Sequence, residues 1–135
     1  MDTTNRLIRL LLAIQSYCKD IHYNSKGDAF YGKHLLVDRV QENISEYIDQ
    51  IKELFFLPTD KEPLPSEAYL TGAAALIPSV SEDDRTNFQA LQRLLTNTLQ
   101  NIEDMKGLTI GEQNLIGAIA QDLQTSVGLI ARQVK

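Results

Sequence analysis

Hydrophobic residues recur at three- and four-residue spacing in four long segments of the chain, which is the period of one helix face. These segments cover about residues 4–23, 29–57, 82–106 and 111–134. The second pattern continues until Pro58, a residue that a helix interior does not accept. No stretch alternates apolar and polar residues for long enough to predict a strand, so the pattern predicts an all-α protein.

The connection between the second and third helices is long and holds all four prolines. It covers residues 58–81, which is too long for a tight turn. Within it, the sequence Ser-Glu-Ala-Tyr-Leu-Thr-Gly predicts a short helix that is capped by Ser66 and ends at Gly72. This segment is therefore expected to cross from one end of a bundle to the other.

Two short connections around one long crossover predict an up-down-down-up, ferritin-like four-helix bundle. Ser81 is the predicted N-cap of the third helix, and Thr109 with Glu112 forms a predicted capping box at the start of the fourth. The length indicates a single domain covering residues 1–135. Other four-helix topologies have the same periodicity, so the pattern alone does not choose among them.

Composition places the chain among ordinary globular proteins, with 43% hydrophobic and 23% charged residues. Its single cysteine, Cys18, excludes an internal disulfide framework and a cysteine-based zinc site, and we interpret it as a buried apolar residue. The longest early apolar run, Leu10 to Ile14, is too short to span a membrane. The N-terminal stretch is a poor signal peptide, so we expect a cytoplasmic protein without a membrane segment.

Two pairs of possible metal ligands lie on the second predicted helix. His34 and Asp38 are four residues apart, as are Asp49 and Glu53, so each pair shares one helix face. Imidazole and carboxylate groups together suit iron, manganese or zinc. Eleven residues separate Asp38 from Asp49, which is about 16 Å along a helix, whereas metal–ligand bonds are about 2 Å long. Either the pairs are unrelated, or a second copy of the chain completes the site.

A two-fold axis would bring the pairs together. If two copies of the second helix pack antiparallel about an axis between residues 43 and 44, Asp38 faces Asp49 of the second copy. In the same register His34 faces Glu53 of the second copy. The alternative is that these charges form solvated helix faces with weak ion pairs, which is common at this spacing. His22 favours the metal site, because it precedes a short break and can fold back towards the start of the second helix.

The same residues resemble the pattern of the Dps proteins, small ferritin-like proteins named for DNA protection during starvation. The resemblance extends over all four helices but is specific only over residues 22–53, and the last helix is similar in its apolar pattern and its Leu-Ile-Ala-Arg ending. The positions that match the family pattern are His22, Asn24, Gly27, Phe30, Tyr31, His34, Asp38, Asp49 and Glu53.

The resemblance implies a ferroxidase centre between two subunits. His22, His34 and Asp38 would come from one chain, and Asp49 and Glu53 from its two-fold mate. Such proteins oxidise ferrous iron, usually with hydrogen peroxide, and store ferric oxide in a hollow shell of twelve subunits, which also removes an oxidant. By this resemblance Glu53, Asp49 and His22 would be the firmest ligands. Manganese or zinc could also occupy such a site.

Several positions depart from the family pattern. Tyr23 stands where tryptophan is common after the first histidine, and Lys33 stands where an apolar residue is usual. A rival hypothesis is therefore a dimeric helical scaffold or binding protein of ferritin-like descent with an idle or non-iron metal site. A carboxylate-bridged di-iron oxygenase is disfavoured, because such bundles use Glu-x-x-His pairs and none occurs here.

The sequence predicts no appreciable direct binding to DNA at physiological salt. The net charge is −5, and the lysine-rich tails with which some Dps proteins hold DNA are missing. An electrophoretic mobility assay at about 0.15 M salt should show free DNA at all protein concentrations tested. A retarded complex that withstands this salt would contradict the prediction.

Overall fold

The computed structural model describes all residues from Met1 to Lys135 and contains helices but no strands, which confirms the all-α prediction. None of the helices combines the length and the apolar character needed to cross a lipid bilayer. The helices are α1 Asp2–Asn24, α2 Phe30–Gln41, α3 Ile44–Phe56, α4 Ser66–Ala74, α5 Asp84–Glu103 and α6 Ile110–Gln133.

Helices α1 and α5 run antiparallel along the bundle. The Tyr17 hydroxyl, late in α1, donates to Asn87 Oδ1 near the start of α5 at 3.2 Å. Asn101 Nδ2, near the end of α5, donates to the carbonyl oxygen of Thr3 at 2.9 Å. Later residues of one helix therefore meet earlier residues of the other.

Helices α2 and α3 together run antiparallel to α6. Arg39 of α2 donates to Ser126 Oγ at 2.6 Å, and the Tyr47 hydroxyl of α3 donates to Asp122 Oδ2 at 2.7 Å. Since α1–α2 and α5–α6 are joined by short loops, the order is up-down-down-up with one long crossover. This is the predicted ferritin-like arrangement.

Helix α1 is the centre of the core, because it contacts α2, α3, α4 and α5. The crossover helix α4 packs on it, and the Tyr69 hydroxyl donates to Asn5 Oδ1 at 2.7 Å. Leu10 and Ala13 of α1 are buried as well. Cys18 is fully buried, and burial raises the pKa of its thiol far above the usual range, as befits an unreactive core residue.

The second predicted helix is not continuous, which corrects the sequence prediction. Helical structure stops after Gln41 and resumes at Ile44, and Asn43 has φ −102° and ψ 3°. The apolar period gives no sign of this break, because Val37, Val40 and Ile44 keep helical spacing and are all buried. The ligand pairs His34–Asp38 and Asp49–Glu53 consequently lie on two helices, α2 and α3.

Three predicted helix boundaries are also wrong. Ser66 is the first residue of α4 rather than its cap, and the helix continues past Gly72 to Ala74. The absence of a side chain at Gly72 leaves room for the Arg9 side chain, with which a Cβ atom at this position would clash. Ser81 does not cap α5; the cap is Asp83, whose carboxylate accepts from the Thr86 backbone N–H.

The start of α6 agrees with its prediction. The Thr109 hydroxyl accepts from the Glu112 backbone N–H at 3.1 Å, and the Glu112 carboxylate accepts from the Thr109 backbone N–H at 2.9 Å. This reciprocal pair is the predicted capping box, and it satisfies two N–H groups that the helix end would leave free.

Asn87 fastens the end of the crossover to the bundle. Its side chain, 1% exposed, accepts from the Tyr17 hydroxyl and from the Ser81 backbone N–H at 2.7 Å, and it donates to the Ser81 carbonyl at 2.8 Å. A buried amide with all of these partners fixes the point where the chain re-enters the bundle.

Replacing Asn87 by alanine should lower the free energy of unfolding by about 1–3 kcal/mol, because the buried groups of Tyr17 and Ser81 would lose their partner. Urea denaturation followed by circular dichroism measures the change. Asn97→Ala is the matched control, because Asn97 lies exposed on the same helix. Equal stabilities of the two variants would contradict the proposed role of Asn87.

Candidate metal centre

The end of α1 and the start of α2 bring both histidines to the same end of the bundle. His22 lies in the last turn of α1, and the connection to α2 reverses the chain within residues 25–29. Gly27 has φ 81°, a left-handed conformation that glycine adopts without a steric penalty. The short reversal places His22 against His34, one turn into α2.

His22, His34 and Asp38 converge on one another. His22 Nδ1 lies 2.9 Å from Asp38 Oδ1, and His34 Nε2 lies 3.8 Å from Asp38 Oδ2. The two imidazole rings are 3.8 Å apart between centroids. One ligand atom from each residue lies within 4.8 Å of the others. Asp38 therefore neighbours both imidazoles, and all three side chains are half-buried.

The chemistry of this cluster suits a metal ion. His22 Nδ1 and His34 Nδ1 are buried and accept or donate no hydrogen bond, since the short contact of His22 with Asp38 lacks hydrogen-bond alignment. Two ligands of one ion, each bonded at about 2 Å, lie at most about 4 Å apart. Closing the widest gap in the cluster thus needs a shift of less than about 1 Å, within the reach of side-chain rotation.

Asp49 and Glu53 lie apart from the histidine cluster, on α3. Both are exposed, and neither carboxylate takes part in a hydrogen bond or an ion pair within the chain. The structure therefore brings together three of the five predicted site residues and leaves the other two facing outwards. Their role as ligands stays a prediction that requires a second subunit.

Two solved structures share the arrangement of the whole chain. A mutant of Dps1 from Mycobacterium smegmatis superposes with a TM-score of 0.81, covering 99% of this chain and 93% of that one at 18% identity. A tetragonal crystal form of Mycobacterium smegmatis Dps gives a TM-score of 0.76, covering 96% and 82% at 19% identity. The chain has a Dps-like fold. No family model matches the sequence, and comparison with curated protein sequences finds no match.

Aromatic side chains surround the histidine cluster of this Dps-like fold. Tyr23 and Tyr31 are 76% and 70% exposed, and Phe30 is partly exposed beside them. Tyr23 meets the His22 ring edge-on with centroids 4.8 Å apart, and Tyr31 stacks near His34. Exposed aromatic groups of this size around buried polar groups are typical of a surface that another protein covers.

An apolar groove lies beside Glu53, at the other end of α3. It has a volume of about 460 Å³, and its walls include the exposed Leu57, which is 77% accessible. The remaining lining residues are Gln50, Leu54, Pro58 and Leu115. Glu53 is thus a carboxylate on the edge of an uncovered apolar surface.

A polar network that the sequence analysis missed joins α2, α3 and α6. Asp122 Oδ1 forms an ion pair with Arg39 at 2.8 Å, and Asp122 Oδ2 accepts a hydrogen bond from the Tyr47 hydroxyl at 2.7 Å. Burial first, then the hydrogen bond and the charge of Asp122, raises the pKa of Tyr47 to about 12. No local pattern could reveal this network, because its carboxylate lies on a different helix, far along the chain from Arg39 and Tyr47.

The structure also explains Lys33, which departs from the Dps pattern. Its amino group lies 3.0 Å from Asp84 Oδ2, and the two side chains are only 17% and 13% exposed. This ion pair fastens the start of α2, next to His34, to the start of α5. The charged residue therefore has a partner inside the bundle instead of an apolar contact.

Tyr47→Phe should make stability less sensitive to alkaline pH. In the unfolded chain the Tyr47 phenol ionises above its ordinary pKa of about 10, whereas in the folded protein it keeps its proton up to about 12. The stabilisation by this group is complete below pH 10 and is lost as pH rises towards 12.

Urea unfolding at a series of alkaline pH values measures this effect. The fall in unfolding free energy across the window should be shallower for Tyr47→Phe than for the wild type, and Tyr31→Phe, at an exposed tyrosine, should follow the wild type. Parallel curves for Tyr47→Phe and the wild type would refute the assignment.

Proposed function

We propose that the protein is an iron-oxidising and iron-storing mini-ferritin of the cytoplasm, with hydrogen peroxide as the oxidant. Its ferroxidase centre is completed between two subunits. One observation carries the proposal: His22, His34 and Asp38 converge, with buried imidazole nitrogens that make no aligned hydrogen bond, while Asp49 and Glu53 face outwards without partners. Half of a ligand set lies at each end of the α2–α3 unit.

The distribution of exposed residues supports a two-fold dimer. In the antiparallel register each residue faces the one whose number sums with its own to 87, so His34 faces Glu53 of the second copy. Phe30 then faces Leu57 of the second copy, and these apolar side chains are 39% and 77% exposed in the single chain. One register would thus cover apolar surface and complete two metal centres at once.

The ligands suit ferrous iron as a substrate. Imidazole nitrogens of His22 and His34 bind ferrous iron, whereas the carboxylates of Asp38, Asp49 and Glu53 prefer the harder ferric ion and so favour its oxidation. Each of two ferrous ions would give one electron to hydrogen peroxide, whose O–O bond breaks and whose two oxygen atoms take up two protons to leave as water. The two ferric ions would then be hydrolysed by water to ferric oxide-hydroxide, with release of protons. His22, Asp49 and Glu53 are the proposed firmest ligands, with Asp38 and His34 further out.

Iron storage requires a closed assembly, and we propose a homododecamer built from these dimers. The likeness in fold to the Mycobacterium smegmatis Dps structures supports an assembly of this kind, since their chains match nearly the full length of this one. Static light scattering of the purified protein measures the number of subunits. Twelve subunits would agree with storage, whereas two would favour a dimeric scaffold.

The ferroxidase proposal predicts rapid oxidation of ferrous iron by peroxide in the presence of the protein. His22→Ala and Glu53→Ala should each slow the reaction at least about tenfold, because loss of a ligand weakens the site by at least as much as loss of its outer-shell support. Ferric absorbance in a stopped-flow instrument records the rate, and circular dichroism checks the helical fold.

Glu46→Ala is the matched control for Glu53→Ala. Glu46 is exposed on the same helix, and its loss changes the net charge equally without removing a proposed ligand. We expect it to retain the wild-type rate. A wild-type protein that oxidises iron no faster than buffer would refute the proposal in favour of the scaffold. Equal effects of Glu46→Ala and Glu53→Ala would refute the site assignment.

A further inference from the structure

The break at Glu42 and Asn43 leaves the angle between α2 and α3 free to vary unless other contacts fix it. Ligands on both sides of the break must meet ligands of the second copy, so the angle between α2 and α3 sets the geometry of both centres. Glu53 lies nine residues beyond Ile44, about 13.5 Å along α3, and a rotation of about 10° at the break would move it by about 2 Å. Metal–ligand distances tolerate only about 0.2 Å.

One carboxylate bridges this break. Asp122 of α6 binds Arg39, four residues before Asn43, through Oδ1 at 2.8 Å, and binds Tyr47, four residues after Asn43, through Oδ2 at 2.7 Å. Its side chain is only 17% exposed. Charge-assisted hydrogen bonds in such a site are stronger and more directional than those on an open surface.

The two partners of Asp122 are close in sequence to the proposed ligands. Arg39 directly follows Asp38, and Tyr47 precedes Asp49 by two residues. Arg39 is held a second time by Ser126, whose hydroxyl is 2.6 Å away and whose side chain is 1% exposed. Asp122 therefore ties both α2 and α3 to α6 at points next to the proposed ligands.

We propose that Asp122 is a positioning residue of the ferroxidase centre, which fixes the angle between α2 and α3 so that two subunits present their ligands in register. This inference rests on the proposed function. It assigns a role to a residue on α6, a helix that supplies none of the proposed ligands.

The test compares variants that open the bridge with one that leaves it intact. Asp122→Asn keeps the shape of the side chain but loses the ion pair with Arg39. Tyr47→Phe removes only the hydrogen bond between Asp122 and α3. Gln124→Ala changes an exposed side chain on the same helix and leaves both contacts of Asp122, and the Arg39–Ser126 hydrogen bond, in place. Tyr47→Phe keeps the proposal testable if Asp122→Asn does not fold.

Two measurements separate positioning from simple stability. Hydrogen exchange of the backbone amides of residues 43–47 reports opening of the break without any metal. Co²⁺, which peroxide-free buffer leaves divalent, reports metal affinity through its visible absorbance. Asp122→Asn and Tyr47→Phe should speed exchange at the break and weaken Co²⁺ binding about tenfold, the lower limit of what outer-shell support contributes. The double variant, with both substitutions, should exchange no faster and bind Co²⁺ no more weakly than the more strongly affected single variant, because both substitutions open the same bridge.

The outcomes distinguish this inference from the proposed function. Gln124→Ala should match the wild type in both measurements. If the wild type binds Co²⁺ but Asp122→Asn leaves exchange at the break or the Co²⁺ affinity unchanged, the positioning role is refuted and the proposed function stands. If the wild type binds no Co²⁺, the proposed function itself fails, and this inference with it.

Discussion

The length of a metal–ligand bond, about 2 Å, is the constraint on which the account of this protein depends. Asp38 and Asp49 are eleven residues apart, on two helices that are separated by the break at Asn43. In the proposed function a single chain supplies one half of each of two centres, and a two-fold axis would join the halves. The same symmetry would cover exposed aromatic and aliphatic groups that a lone subunit leaves in water.

The fold serves this arrangement by making the α2–α3 unit one outer edge of the bundle. Helix α1 is enclosed by α2, α3, α4 and α5, and it supplies much of the core. The long crossover is fastened at its end by Asn87 and along its length by α4. Because apolar side chains fill the centre of the bundle, the proposed metal ligands lie near the surface at α2 and α3, next to the polar network around Asp122.

Much of the fold was predictable because it depends on patterns among residues that are close in sequence. Helical periods, prolines and the Thr109–Glu112 capping box each depend on residues close in sequence, and all four main helical segments follow from them. The break at Asn43 was not predictable, because the buried residues Val40 and Ile44 keep helical spacing across it. The predicted cap at Ser81 was wrong because the Ser81 backbone N–H donates to Asn87, and Asp83 accepts from the Thr86 backbone N–H as the cap of α5 instead.

The candidate site likewise has a part that the sequence predicted and a part that it did not. The convergence of His22 with His34 and Asp38 could be anticipated from one short break between two helices. Pairs that join distant parts of the chain, such as Lys33 with Asp84 or Arg39 with Asp122, carry no local signal and needed the three-dimensional structure. The Lys33 pair shows that an apparent departure from a family pattern can be an internal ion pair.

Mixing two inactive variants tests the shared site most directly. One variant carries His22→Ala and His34→Ala, and the other carries Asp49→Ala and Glu53→Ala. Refolded together, random pairing should restore about one quarter of the wild-type rate of iron oxidation by peroxide, because half of the dimers are mixed and each has one intact centre. A mixture as inactive as its components, with mixed dimers present, would contradict a centre shared between subunits.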